Sequence, residues 1–134
     1  MILASTIVRW VVRLGALVQV GLGLLFWTGN QLQLIPVHML VGMLVVLGLV
    51  VLAVLGAFAR VGWARMVLAI VWAPIVVWLG LNQTTLLPDQ LALHEVVRTV
   101  HLLVGLAAVA QAEMLAGAIV RRRAAVAAPA GGVA

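Results

Sequence analysis

Two histidines stand in nearly the same surroundings. His38 lies in Val37-His38-Met39-Leu40-Val41-Gly42-Met43, and 63 residues later His101 lies in Val100-His101-Leu102-Leu103-Val104-Gly105-Leu106. A neutral imidazole is a good ligand for a transition metal. A single histidine in an apolar helix ordinarily makes an interhelical hydrogen bond or lines a water-filled cavity. Two in one repeated motif suit axial ligation of a single haem iron, provided they lie at one depth and face each other. The glycines Gly42 and Gly105 fall at i+4 on the histidine faces, where a flat macrocycle needs side chains removed. On the second copy the small-residue stripe continues as Ala108 and Ala112.

The elements that must position these residues are membrane helices. The chain of 134 residues is 66% hydrophobic and 8% charged, against about a quarter charged in a soluble domain. Its apolar runs are long enough to cross a bilayer and are separated by short breaks. The expected fold is an all-α integral membrane protein, a four-transmembrane-helix up-down-up-down bundle. The expected spans are about 5–28, 36–59, 64–81 and 88–122, with the last opened by Pro88 and Asp89, and residues 1–123 forming one haem-binding bundle. The Ala/Gly/Pro-rich stretch 124–134 is expected to be a disordered tail. No small-x-small site follows the first run in Phe26-Trp27-Thr28-Gly29-Asn30, so that run is expected to be a retained span and not a cleaved leader. There is no cysteine, which excludes disulfides, thiolate metal sites and iron–sulfur clusters.

Charge sets the expected orientation. All eight basic residues are arginines. Arg9, Arg13, Arg60, Arg65, Arg121, Arg122 and Arg123 fall on one side of the predicted bundle and Arg98 alone on the other. That is a topology signal and not a phosphate-binding patch, so no nucleic-acid partner is expected. It predicts a bacterial-type inner membrane protein with both termini cytoplasmic and the lipid bilayer as its surroundings.

Depth links the two histidines. His38 precedes Arg60 by 22 residues and His101 precedes Arg121 by 20, so their levels agree to about 3 Å at 1.5 Å per residue. The second and fourth helices run the same way and occupy diagonal positions, so both imidazoles can point at the bundle axis near its outer face. This predicts one haem b per chain, with His38 and His101 as the ligands of the haem iron. Arg98, three residues before His101, is the natural partner of a haem propionate. His94, seven residues before His101, lies about 10.5 Å further out on the same face and is assigned to the propionate side. A metal ion held by His38, His94 and His101 is the lesser alternative, lacking a carboxylate at that level.

Other polar residues have structural readings. Glu113, low in the fourth helix, needs a cation, and Arg9 and Arg13 are its candidate partners. Gln19 and Gln111 are expected to form interhelical hydrogen bonds, and Pro74 to kink the third helix. Trp10, Trp27, Trp63 and Trp78 read as interfacial anchors. The first and third helices end alike, Phe26-Trp27-Thr28-Gly29 and Val77-Trp78-Leu79-Gly80, with Trp27 and Trp78 separated by 51 residues. Together with the histidine motifs this suggests a duplicated helical hairpin with pseudo-twofold symmetry and 12 extra residues in the second copy.

From about Arg9 to Arg122, with histidines at the outer ends of the second and fourth helices and Gln19-Val20-x-Leu22-Gly23 in the first, the chain resembles half of a heme A synthase. That family generally places two such four-helix bundles in tandem. Its catalytic half carries a glutamate three residues before the first histidine. Here that position is Ile35, and Gly29–Ile35 holds no acid. The cysteine pair of many members is also absent. The resemblance is therefore closer to the haem b-binding half. It implies haem binding and leaves methyl oxidation without its acid; small dihaem membrane cytochromes are a looser likeness, because they need four ligand histidines and this chain has three.

Three functions follow as expectations. The first is a one-haem membrane cytochrome b carrying electrons to or from a redox partner protein or quinone, as a homodimer or as a subunit of a larger membrane complex. The second is a half-length heme A synthase-like oxidoreductase acting on a haem methyl group. The third is a haem-free structural or assembly subunit.

Overall fold

A computed structural model describes residues 1–83, 86 and 91–127 of the chain. Four helices make up the fold: α1 (Ile2–Trp27), α2 (Ile35–Phe58), α3 (Trp63–Asn82) and α4 (Leu91–Ala127). A short 3₁₀ turn, Leu32–Leu34, leads into α2, and Pro36 falls in the first turn of that helix, where its missing N–H costs nothing. Each of the four is long and apolar enough to cross a membrane, which makes the chain an integral membrane protein.

Helix ends are set locally. In α1 the amide of Gly29 bonds Phe26 O at 3.0 Å and that of Asn30 bonds Leu25 O at 3.0 Å. Gly29 takes φ 75°, and the pair of bonds is a Schellman cap around a left-handed residue. The end of α2 repeats it, with Arg60 bonding Ala57 O and Val61 bonding Gly56 O, both at 3.0 Å. There the left-handed residue is Arg60, at φ 57°, a conformation that strains a residue with a Cβ.

The extent of α4 departs from expectation. Its described part begins at Leu91 and continues to Ala127, four residues into the stretch read as a disordered tail. Alanine is the best helix former, and Arg121–Ala127 contains neither glycine nor proline, so nothing stops the helix there. Pro88, Asp89 and residues 128–134 lie outside the described residues. At 37 residues, α4 measures about 55 Å and exceeds a hydrocarbon core.

Packing places α2 and α4 at the centre. They contact each other and both remaining helices, whereas α1 and α3 form no packed pair among the described residues. At one end the Phe26 ring of α1 meets His38 of α2 edge-on at 5.4 Å. At the other end Arg123 of α4 lies against the Met1 sulfur and donates to Phe58 O of α2 at 3.4 Å.

The core fills only one half of this bundle. Its least exposed large residues are Val12, Leu49, Leu52, Leu115 and Ile119, joined by Ala53, Ala69, Ala112 and Ala116. On α2 nothing before Val45 is buried, and on α4 nothing from His94 to Ala107. On α1 nothing after Val12 is buried, and on α3 nothing after Ala73. The dense half thus lies toward Met1, Phe58 and Arg123, and the half around the histidines is loosely filled.

Candidate functional site

His38 sits in the first turns of α2 and His101 about three turns into the described part of α4, the two helices that share the centre of the bundle. Their rings face each other with centroids 6.4 Å apart and planes 52° apart. Both are partly buried. The Nδ1 of each is buried and has no hydrogen-bond partner. A buried imidazole nitrogen without a partner is costly, so each of these neighbouring rings carries an unmet polar group.

Each ring leans on a glycine of the preceding helix. A Cβ on Gly23 of α1 would lie 3.9 Å from His38 Cε1, and one on Gly80 of α3 would lie 3.1 Å from His101 Cε1. These seats were not singled out from the sequence, although a signal for them exists. Val20-x-Leu22-Gly23-Leu24 recurs as Val77-x-Leu79-Gly80-Leu81, 57 residues on. Gly23 and Gly80 thus stand in like positions, each against one of the two histidines.

The two motif glycines differ. Gly105 has open space where a Cβ would stand. Gly42 does not: the amide of Gln19 on α1 fills the space beside it, so close that a Cβ there would collide. Gly42 therefore admits a polar side chain from α1 and clears no space for a macrocycle in this arrangement. The expected interhelical hydrogen bonds of Gln19 and Gln111 are also incomplete, since Oε1 of each is buried without a partner.

Arg98 is not a free cation. Its Nη1 donates to Glu95 Oε1 at 2.9 Å, one turn back on the same helix face. The pair is half exposed, so an anion reaching Arg98 must compete with Glu95 at modest cost. His94 lies one turn before Arg98 and does not join the facing histidines: among the described residues no three potential ligands gather. This removes support for a three-histidine metal ion, because His94 is two turns further along α4.

Trp72, unassigned from the sequence, anchors α3 to α4. Its indole Nε1 donates to Val104 O, three residues after His101, at 2.9 Å. The intended partners of Glu113 are in place. Arg13 Nε donates to Oε1 at 2.6 Å and Nη2 to Oε2 at 2.8 Å, a two-point clamp, and Arg9 Nε reaches Oε2 at 2.7 Å. The Arg13 guanidinium also lies 4.9 Å from the Trp10 ring centroid.

Neutral imidazole is a donor type that would suit a haem iron. With a metal–imidazole bond of about 2.0–2.1 Å and a nitrogen about 1.1 Å from its ring centre, two axial imidazoles on one iron need centroids about 6 Å apart; the observed separation is 6.4 Å. The buried nitrogens without partners, the open space at Gly105 and the unfilled half of the bundle agree with that requirement. No family model, curated protein or solved structure matches the chain in comparisons with known proteins.

Proposed function

We propose that this chain is a membrane cytochrome b that holds one haem b between His38 and His101 and carries electrons. The observation that carries the reading is the pair of facing imidazoles on the two central helices, each with a buried nitrogen that lacks a partner. A haem ligated by two histidines supplies reversible one-electron chemistry at the iron and leaves no open coordination position for oxygen. The protein's own part is to fix the ligands. Gly23 and Phe26 back His38, Gly80 backs His101, and Trp72 ties α3 to α4 one turn away. Arg98 and His94 lie toward the end where propionates would emerge, with Glu95 as the competing anion.

The resemblance to the haem b-binding half of a heme A synthase supports the same site. Ile35 opens α2 one turn before His38, where the catalytic half of that family keeps an acid, and this favours electron transfer over methyl oxidation. The alternating up-down course and the duplicated hairpin are part of the proposal. They draw support from the joining of Phe26 to His38 at one end and of Met1, Phe58 and Arg123 at the other. Positions 45, 48, 49, 52, 53 and 56 of α2 are buried, and so are their counterparts 63 residues later in α4. The arginine distribution supports a bacterial-type inner membrane with both termini cytoplasmic. Electrons must then come from a partner protein or quinone, with the chain acting as a homodimer or as a subunit of a larger complex.

The test is the absorption spectrum of the purified chain after expression with ample haem. A sharp reduced α-band is expected, lost or converted to a five-coordinate spectrum in both His38→Ala and His101→Ala. No band in the wild type, or an unchanged spectrum in the two variants, would overturn the assignment. Pigment extraction distinguishes haem b from haem o or a.

A further inference from the structure

We propose that the Arg9–Arg13–Glu113 cluster is a binding site for the phosphate of an anionic phospholipid. The site lies in the leaflet on the side of Arg60, Arg65 and Arg121–Arg123. It is independent of the haem reading and lies in the densely packed half of the bundle.

The cluster carries more positive charge than its acid can cancel. Both Glu113 oxygens accept from guanidinium N–H groups, the arrangement of an ionised carboxylate, yet two arginines share that one acid. One positive charge is left over. The chain has three acidic residues. Glu95 is paired with Arg98 at the opposite end, and Asp89 lies outside the described residues. No further carboxylate among the described residues can neutralise the cluster. A surplus charge in a hydrocarbon environment is costly and draws in a counter-ion.

The cluster is also accessible. The side chains of Arg9, Arg13 and Glu113 are 34%, 36% and 27% exposed. Arg13 and Glu113 open on a groove of about 510 Å³ between α1 and α4, whose other walls include Trp10, Leu14, Leu17 and Val109, and Arg9 joins them through its bond to Glu113. A charged floor beside an apolar wall fits an amphipathic ligand, with a phosphate on the guanidinium groups and an acyl chain along Leu14 and Leu17. Depth agrees. Arg9 lies seven residues from Ile2, about 10 Å along α1, and its side chain leans toward the helix N-terminus, toward the nearer membrane surface. Arginines on such a stem snorkel to phosphate level, and the two-point geometry of guanidinium groups suits phosphate oxygens. Trp10, stacked on Arg13, fixes one wall.

Native mass spectrometry of the full chain, released from nanodiscs holding equal phosphatidylglycerol and phosphatidylcholine, tests this. One surplus charge predicts about a fivefold preference for retaining phosphatidylglycerol. Arg9→Gln leaves the Arg13–Glu113 clamp and removes the surplus, so the preference should fall to near one. Glu113→Gln adds a second surplus charge and should raise it by about a further fivefold. Leu17→Trp keeps every charge and obstructs the apolar wall, so retention should drop with the fold intact by circular dichroism. An unchanged preference in Arg9→Gln and Leu17→Trp would overturn the site. Displacement of the lipid by millimolar inorganic phosphate would overturn the phospholipid assignment, as would a lipid-free dimer covering the groove.

Discussion

Gly80→Ala is expected to weaken haem binding, whereas Gly23→Ala is not, although both glycines support a histidine. A Cβ at position 80 would stand 3.1 Å from His101 Cε1, while carbon atoms in ordinary contact sit about 3.5–4.0 Å apart. The ring must therefore retreat by roughly 0.4–0.9 Å, and an off-rotamer histidine costs about 0.5–1.5 kcal/mol. At about 1.4 kcal/mol per decade this is roughly a 2- to 12-fold loss of haem affinity. A Cβ at position 23 would stand 3.9 Å from His38 Cε1, already ordinary contact, so the change there should stay below about twofold. Gly23→Ala should raise the thermal stability of the haem-free chain by up to about 1 kcal/mol, whereas in Gly80→Ala that gain is offset by the contact with His101 and the net change should be near zero. Haem titration followed at the Soret band, beside thermal unfolding of the apo-form, separates the two effects. Electron paramagnetic resonance of the oxidised form should show a changed axial-ligand signature in Gly80→Ala alone. Equal loss of affinity in both variants, or full affinity in Gly80→Ala, would refute the placement of His101 against α3.

Four further outcomes are expected. Gly42→Ala meets only the end of the flexible Gln19 side chain, which can swing aside, so it should cost less than about 1 kcal/mol in thermal or denaturant unfolding, offset by the better helix propensity of alanine; in a Gln19→Ala background it should be stabilising, and a loss well above that in the single variant would show that Gln19 is held in place. Trp72→Phe removes the bond to Val104 O and should lower stability by about 1 kcal/mol, with a broadened haem spectrum as α3 loosens from α4. Arg60→Gly relieves a left-handed arginine at the α2 cap and should stabilise the bundle by about 0.5–1 kcal/mol; a loss of stability would mean that the arginine side chain matters more than its backbone. Glu113→Ala leaves Arg9 and Arg13 without their shared acid and should lower the unfolding temperature more than Arg9→Gln does, a ranking that differential scanning in one detergent can check.

Composition and period alone determine much of this protein. Apolar runs of bilayer length can satisfy their backbone groups only as helices, so four spans were legible, with Pro36 and Gly29 marking ends by their own conformational limits. The matched depth of His38 and His101 was legible too, because helical rise converts residue counts into distance. So was the joining of Glu113 to Arg9 and Arg13, since the bundle offered it few other cations. The end of α4 was not, because an alanine-rich stretch is compatible with both helix and tail until its neighbours are placed. Nor could the sequence show that Gln19 occupies the space beside Gly42, that Gly23 and Gly80 back the histidines, or that Arg98 turns to Glu95. Those depend on the rotation of each helix about its axis and on which neighbour it meets. Rotation is set by side-chain packing across several helices at once, and a single run's pattern does not contain it. The tertiary structure also decided that the core fills one half of the bundle. It leaves two imidazole rings 6.4 Å apart in the other half, because the large side chains of α2 and α4 interlock only from Val45 and Ala108 onward.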